Sequence, residues 1–395
     1  MSIRTPHTLE ELSRQALLRN EALAISALEK LPIILFPALF KEAFNSRCTG
    51  MVKAMVVAWP FPYLRVRGMM NTFNSEIFHA VLDGLDVLVT QQVCPMRGEL
   101  RVLDFRRLPC DFKTIQAGTE DGVCSAETVH VKQAGKPLLN ELRPRIKVRV
   151  DLYFRSELEE EEMYFLQWAR QRKDSLQLCC EDVKIVLLSL DNVRKVLSVF
   201  KPKHIKVLEL SIDWSWCTLA QFSTYLPKMR NLHTLYLVYR HENRFGVCGL
   251  PRLDENKFVQ KLASQFSGLS GLQHLYLRGF CFFSEHVKLL LSQCSQLTKV
   301  NFYSNDFSMN FLRDLFYHTA NMSKMIMEQY PAPRECYDEW ENISIDAFSQ
   351  LCSQLMDTLR AIRQPKRISF ATYLCDFCSQ RCVYDQVTRR CPCLQ

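Results

Sequence analysis

The sequence predicts an α/β chain in which an all-helical N-terminal cap precedes a leucine-rich-repeat solenoid, or horseshoe. Two patterns carry this reading. Apolar residues in the first hundred positions recur at helical spacing, and from Leu100 onward a Leu-x-x-Leu-x-Leu pattern returns several times with a helical run after it. The composition agrees with a folded chain, at 48% hydrophobic and 23% charged residues over 395 positions. The expected organisation is a helical cap over 1–98, a repeat domain over 99–372 and a cysteine-rich tail over 373–395.

The elements follow in order. Thr8 and Glu11 fit a capping box, and Leu9, Leu12, Ala16 and Leu17 lie on helical spacing behind it. A second amphipathic run carries Leu23, Ala27 and Leu28. Pro32 suits the first turn of a third helix holding Leu35, Phe36, Leu39, Phe40 and Phe44. Further helices are expected over Met51 to Trp59 and Ser75 to Val89. The period then changes. Leu100, Leu103 and Phe105 form the strand half of a repeat, and the pattern recurs at Leu208, Leu235, Leu275 and Val300, whose spacings are 27, 40 and 25 residues. Two of these fall within the roughly 20–29 residues usual for such repeats. Between Lys113 and Arg143 the periodicity is lost, which predicts a surface insertion over 113–143. Ile146, Val148, Val150, Leu152 and Phe154 alternate as a strand, and the acidic run Glu159 to Glu162 reads as a solvated helix N-terminus.

Composition narrows the function classes. Fifty basic against 42 acidic residues give a net charge of +8, a mild excess that falls short of a nucleic-acid footprint. No apolar run reaches the ~18 residues of a membrane helix, and no apolar stretch precedes Glu10 and Glu11, so the expected location is cytoplasmic or nuclear. Twelve glycines leave little for phosphate-binding loops; the Walker and dinucleotide patterns do not occur, nor do His-Glu-x-x-His or Gly-x-Ser-x-Gly. The expectation is a non-catalytic chain that requires no cofactor. Seventeen cysteines in a chain without a secretion signal read as buried thiols or metal ligands.

Seven landmarks carry a resemblance: the opening Met1 to Pro6 and the runs Leu17 to Ile25, Lys53 to Phe61, Val81 to Leu88, Leu178 to Cys180, Tyr330 to Pro333 and Arg363 to Arg367. In these the chain resembles the PRAME (preferentially expressed antigen in melanoma) family. The resemblance implies a leucine-rich-repeat horseshoe behind a helical cap. It also implies one of two roles, since some members act as substrate receptors of a cullin-2 ubiquitin ligase and others in transcriptional repression of retinoic-acid signalling. Comparable members are longer, with further repeats between segments similar to Phe282–Leu291 and Cys294–Asp306. Here those segments adjoin, one repeat period apart, so the stack is expected to be shorter and unbroken.

Two short patterns match partner boxes. An elongin-binding box, a helix whose apolar face enters a groove on elongin C, has the form Ser/Thr/Pro-Leu-x-x-x-Cys-x-x-x-apolar. Thr8, Leu9, Ser13 and Leu17 take those places, with serine where cysteine is favoured. A cullin-2 box, apolar-Pro-x-x-apolar-x-x-x-apolar, is matched by Leu31, Pro32, Leu35 and Leu39. The competing reading is that both are core faces of amphipathic helices. The partners expected are elongin B/C, cullin-2 with its RING subunit, and a target protein. The alternative is a nuclear scaffold that limits retinoic-acid receptor signalling, differentiation and apoptosis.

The tail holds Cys375-x-x-Cys378 and Cys391-Pro-Cys393, four thiols within 19 residues, with Cys382 between them. Zinc takes four soft ligands tetrahedrally and a Cys-x-x-Cys turn supplies two, so structural zinc is one expectation and reduced free thiols the other.

Overall fold

A computed structural model describes residues 8–66, 74–90, 98–106, 145–239, 260–262, 264–279, 284–375 and 377–394. The surface insertion expected at 113–143 lies outside the described residues. Packing divides the chain into two units: Met1–Asp151 with Glu160–Cys179, and Leu152–Glu159 with Cys180–Gln395. No helix among the described residues is long and apolar enough to cross a membrane.

The first unit begins with α1 (Leu9–Leu18), α2 (Glu21–Ala27), α3 (Phe36–Asn45), α4 (Thr49–Val57) and α5 (Ser75–Thr90). The capping box forms as expected: the Glu11 amide donates to Thr8 Oγ at 3.2 Å, and the Thr8 amide donates to the Glu11 carboxylate at 3.0 Å. Asn20 and Asn74 cap α2 and α5 through their side-chain oxygens. The third helix differs from expectation. Pro32 precedes a single 3₁₀ turn, Ile33–Leu35, and α3 starts only at Phe36. Pro37 is the reason: it has no N–H to donate to the Ile33 carbonyl, so an α-helix running from Pro32 through this point would lack a rung.

The core of this unit is aromatic and tight. Trp59 is fully buried, meets Phe40 edge-on at a centroid distance of 5.3 Å, and donates its indole N–H to the Tyr63 carbonyl at 3.0 Å. The helices α4 and α5 touch at Gly84, where a Cβ would lie 2.8 Å from Val56 Cβ and 2.9 Å from the Lys53 carbonyl oxygen. Overpacking of this kind costs about 1–3 kcal/mol. The gain in helix propensity from glycine to alanine is at most about 1 kcal/mol. Gly84→Ala is therefore expected to lower the urea midpoint of this unit, and an unchanged or raised midpoint would show that the helices part freely.

Two short strands, β1 (Tyr63–Arg65) and β2 (Val102–Asp104), pair in parallel, and β2 pairs in parallel with β3 (Lys147–Arg155). Asp104 is buried, and accepts from Arg106 Nη2 at 2.8 Å and from the Tyr63 hydroxyl. Burial pushes its carboxyl up, but the Arg106 and Tyr63 hydrogen bonds outweigh that and hold it below the usual range. The acidic run does open a helix, α6 (Glu160–Arg172), with three glutamates in its first turn. Trp168 and Arg172 of α6 both bind the Asp86 carboxylate of α5, so this helix belongs with the first unit.

In the second unit each Leu-x-x-Leu-x-Leu segment becomes a strand of one parallel ladder. The strands are β4 (Gln177–Val186), β5 (Val207–Ile212), β6 (Thr234–Tyr239), β7 (His274–Arg278), β8 (Lys299–Asn301), β9 (Met327–Pro331) and β10 (Ile368–Ala371). They pair in chain order. Val183, Leu208, Leu235, Leu275 and Val300 stand in one register column, and all are buried. The 40-residue spacing therefore still ends in register, because added residues between strands do not alter the pairing of the leucines. Helices α7 (Leu190–Val199), α8 (Trp216–Ser223), α9 (Ser284–Gln293), α10 (Met309–His318) and α11 (Ile345–Ile362) return the chain between strands. Asn305, buried after β8, gives its amide to the carbonyls of Leu277 (2.8 Å) and Phe302 (2.7 Å), satisfying two backbone acceptors. At the junction where longer relatives are expected to carry extra repeats, Leu275 pairs directly with Val300. A short hairpin, β11 (Val383–Tyr384) and β12 (Thr388–Arg389), adds antiparallel to β10.

Candidate partner helix and C-terminal thiol cluster

The helix α1 is well capped yet leaves its apolar row in solvent. Leu9 is 82% exposed and Leu12 49%, and Ser13 and Ala16 are exposed beside them. Leu17, one turn on, is half-buried. Thr8 is occupied with the cap, and the Ser13 hydroxyl donates to the Leu9 carbonyl at 2.7 Å, so Ser13 shows mainly its methylene outward. Three box positions, Thr8, Leu9 and Ser13, are thus accessible, and Leu12 joins them although the box pattern does not ask for it. The helical spacing Leu9, Leu12, Ala16 contained that signal.

The second box is divided by the fold. Pro32 is exposed, Leu31 and Leu35 are half-buried, and Leu39 is a core residue at 1% exposure. The outward face of this segment is instead Pro32 with Ile33 and Ile34, the two isoleucines being 48% and 67% exposed. The 3₁₀ turn accounts for this, since it winds at three residues per turn and so places 33 and 34 where an α-helix would place other positions. Leu23 at 58% and Ile25 at 37% add to an apolar exposure concentrated in this stretch of sequence.

In the tail, the sulfurs of Cys375, Cys378 and Cys391 all lie within 4.8 Å of one another. Cys393 is exposed and lies outside that close set, and the neighbouring Cys378 and Cys375 sulfurs push its thiol up to about 11. The Cys-x-x-Cys turn is closed by the Ser379 amide, which donates to the Cys375 carbonyl at 2.8 Å, and Ser379 has a left-handed φ of 54°. Within the turn the amides of Cys378 and Phe377 donate to the Cys375 sulfur and bring its pKa down to about 7. Burial drives the Cys391 thiol the other way, up to about 12. Cys382 is set apart: it is buried, its sulfur accepts the Cys391 amide at 3.2 Å, and its own backbone bonds to Thr372. The adjacent Cys179 and Cys180 are core residues.

Along β5 to β10 a second register row, Glu209, Tyr236, Tyr276, Asn301, Gln329 and Ser369, is half-exposed. Tyr236 and Tyr276 stack with centroids 4.1 Å apart. Burial, then the neighbouring Tyr276, push the Tyr236 hydroxyl up to about 12, so it stays a neutral donor at physiological pH.

Comparison with known proteins agrees over the whole length. The PRAME N-terminal domain matches residues 5–113, and the PRAME C-terminal domain matches 146–291 and 287–393. The two C-terminal matches overlap at 287–291. Human PRAME family member 19 is 32% identical over 469 aligned positions, covering 96% of this chain and 96% of that protein. Human PRAME family member 12 is 33% identical, covering 99% and 98%, and mouse Oogenesin-3 is 33% identical, covering 99% and 95%. The chain belongs to the PRAME family.

Proposed function

We propose that this chain is a leucine-rich-repeat substrate receptor of a cullin-2 and elongin ubiquitin ligase, resident in the cytoplasm or nucleus. The observation that carries the reading is the exposed Leu9 and Leu12 row on a helix that the capping box already holds in shape. A preformed helix loses little ordering entropy on docking, and its leucines supply the area for a helix-in-groove contact with elongin C. Pro32, Ile33 and Ile34 offer the cullin-2 contact. The strand row of Tyr236 and Tyr276 offers the face that receives a target. The role is non-catalytic: bridging raises the effective concentration of target lysines near a loaded ubiquitin-conjugating enzyme.

The test is affinity purification of the full chain from cells followed by mass spectrometry. Elongin B, elongin C and cullin-2 are the expected partners. Corepressors without elongins would put the chain instead among scaffolds that limit retinoic-acid receptor signalling.

A further inference from the structure

We infer that Cys375, Cys378, Cys391 and Cys393 bind one zinc ion that closes the base of the C-terminal hairpin. Three sulfurs, those of Cys375, Cys378 and Cys391, already share a region no wider than 4.8 Å, and the exposed Cys393 lies two residues beyond Cys391 as the fourth donor. A tetrahedral zinc with Zn–S distances of about 2.3 Å requires sulfurs roughly 3.8 Å apart, so small rotations bring Cys375, Cys378 and Cys391 to that spacing, and the exposed Cys393 side chain must swing in to complete the set.

The backbone holds both halves of the set in place. The Cys375 turn is fixed at both ends, the Ser379 amide donating to the Cys375 carbonyl and the Cys375 amide to the Gln380 carbonyl, each at 2.8 Å, and the Cys391 amide donates to the Cys382 sulfur at 3.2 Å. Such backbone bonds hold the ligand-bearing segments in place, as supporting groups do at metal sites. Cys382 is a positioning residue: its sulfur accepts the Cys391 amide and thereby sets the second ligand pair against the first.

Placement gives the ion its task. One ligand pair precedes β11 and the other follows β12, so the ion ties the two ends of a hairpin that has only two residues in each strand. That hairpin covers β10, the last strand of the parallel ladder, whose backbone would otherwise be an open edge. A hairpin this short is marginal in water without a staple. The inference does not depend on the ligase reading.

Native mass spectrometry of the full chain, purified reduced and without chelator, tests it. One zinc per chain is expected, and cobalt(II) in its place should give the intense visible bands of a four-thiolate tetrahedral site. Removing the ion with a chelator should make four further thiols reactive to iodoacetamide, mapping to 375, 378, 391 and 393. Cys375→Ser with Cys378→Ser should abolish metal binding, and Cys382→Ser should retain it. Metal-free wild type with these thiols reduced or joined as disulfides would overturn the site, as would a double variant that keeps its zinc. The chelation arm on wild-type protein decides the matter even where the double variant fails to fold.

Discussion

Glu328→Ala is expected to destabilise the second unit by about 3–5 kcal/mol, the usual cost of leaving one partner of a buried ion pair alone. Glu328 stands in the register column whose other members are Val183, Leu208, Leu235, Leu275, Val300 and Ile368, so a carboxylate occupies a core position at 1% exposure. It is tolerable because Arg363, just after α11, donates through Nη1 at 2.6 Å and through Nη2, and because the Tyr330 hydroxyl donates at 2.8 Å. With the carboxylate gone, Arg363 would be left charged and mostly buried. Hydrogen exchange should report it, with β9 and β10 amides exchanging roughly two to three and a half orders of magnitude faster. The double variant Glu328→Leu with Arg363→Met should recover most of the loss, since apolar replacement of a whole pair is often close to neutral. A double variant as unstable as the single would show that the pair itself, and not the orphaned charge, is what the strand requires.

Trp59→Ala should cost the first unit a similar amount, about 3–5 kcal/mol, through the cavity it leaves. The ring is enclosed by Phe36 and Phe40 from α3 and by Phe61, and its N–H is satisfied by the Tyr63 carbonyl. Its removal unpacks the helices from β1 at one stroke. Protection of the α3 and α4 amides should fall by two orders of magnitude or more while β5 to β8 hold theirs. Trp59→Phe should restore part of the packing without the hydrogen bond. If alanine leaves protection in α3 and α4 unchanged, the aromatic cluster is not what organises this unit.

Much of this was legible in the chain because period and register are properties of spacing. Leu208, Leu235, Leu275 and Val300 announced a repeated strand, and all four fall in one column. Thr8 and Glu11 announced a helix start, and both capping bonds form. The Cys375-x-x-Cys378 spacing announced two neighbouring sulfurs, since a tight turn brings them together locally, and the hairpin adds Cys391 to them; Cys393 stands outside that close set. What could not be read depends on which neighbour covers a face. Leu39 and Leu9 look alike in a box pattern, but α4 and Trp59 fill the space next to α3, and no described element covers Leu9. Glu328 gave no warning in the sequence either, because its partner Arg363 lies 35 residues away. The membership of α6 in the first unit rests likewise on Asp86, 82 residues before Trp168. Pro37 was in plain view, and its missing N–H is enough to convert the expected helix start at Pro32 into a 3₁₀ turn.

The receptor reading is tested most directly by titrating purified elongin B/C into the purified full chain by calorimetry, alongside Leu9→Ala. Saturable one-to-one binding is the predicted result for the wild type. Burying one leucine is worth ~1.5–3 kcal/mol, so Leu9→Ala should weaken binding by about tenfold to over a hundredfold. Because Leu9 is 82% exposed, the same variant should leave hydrogen exchange elsewhere in the protein unchanged. Wild-type protein that shows no heat of binding, or a Leu9→Ala variant that binds as tightly as wild type, would contradict the account.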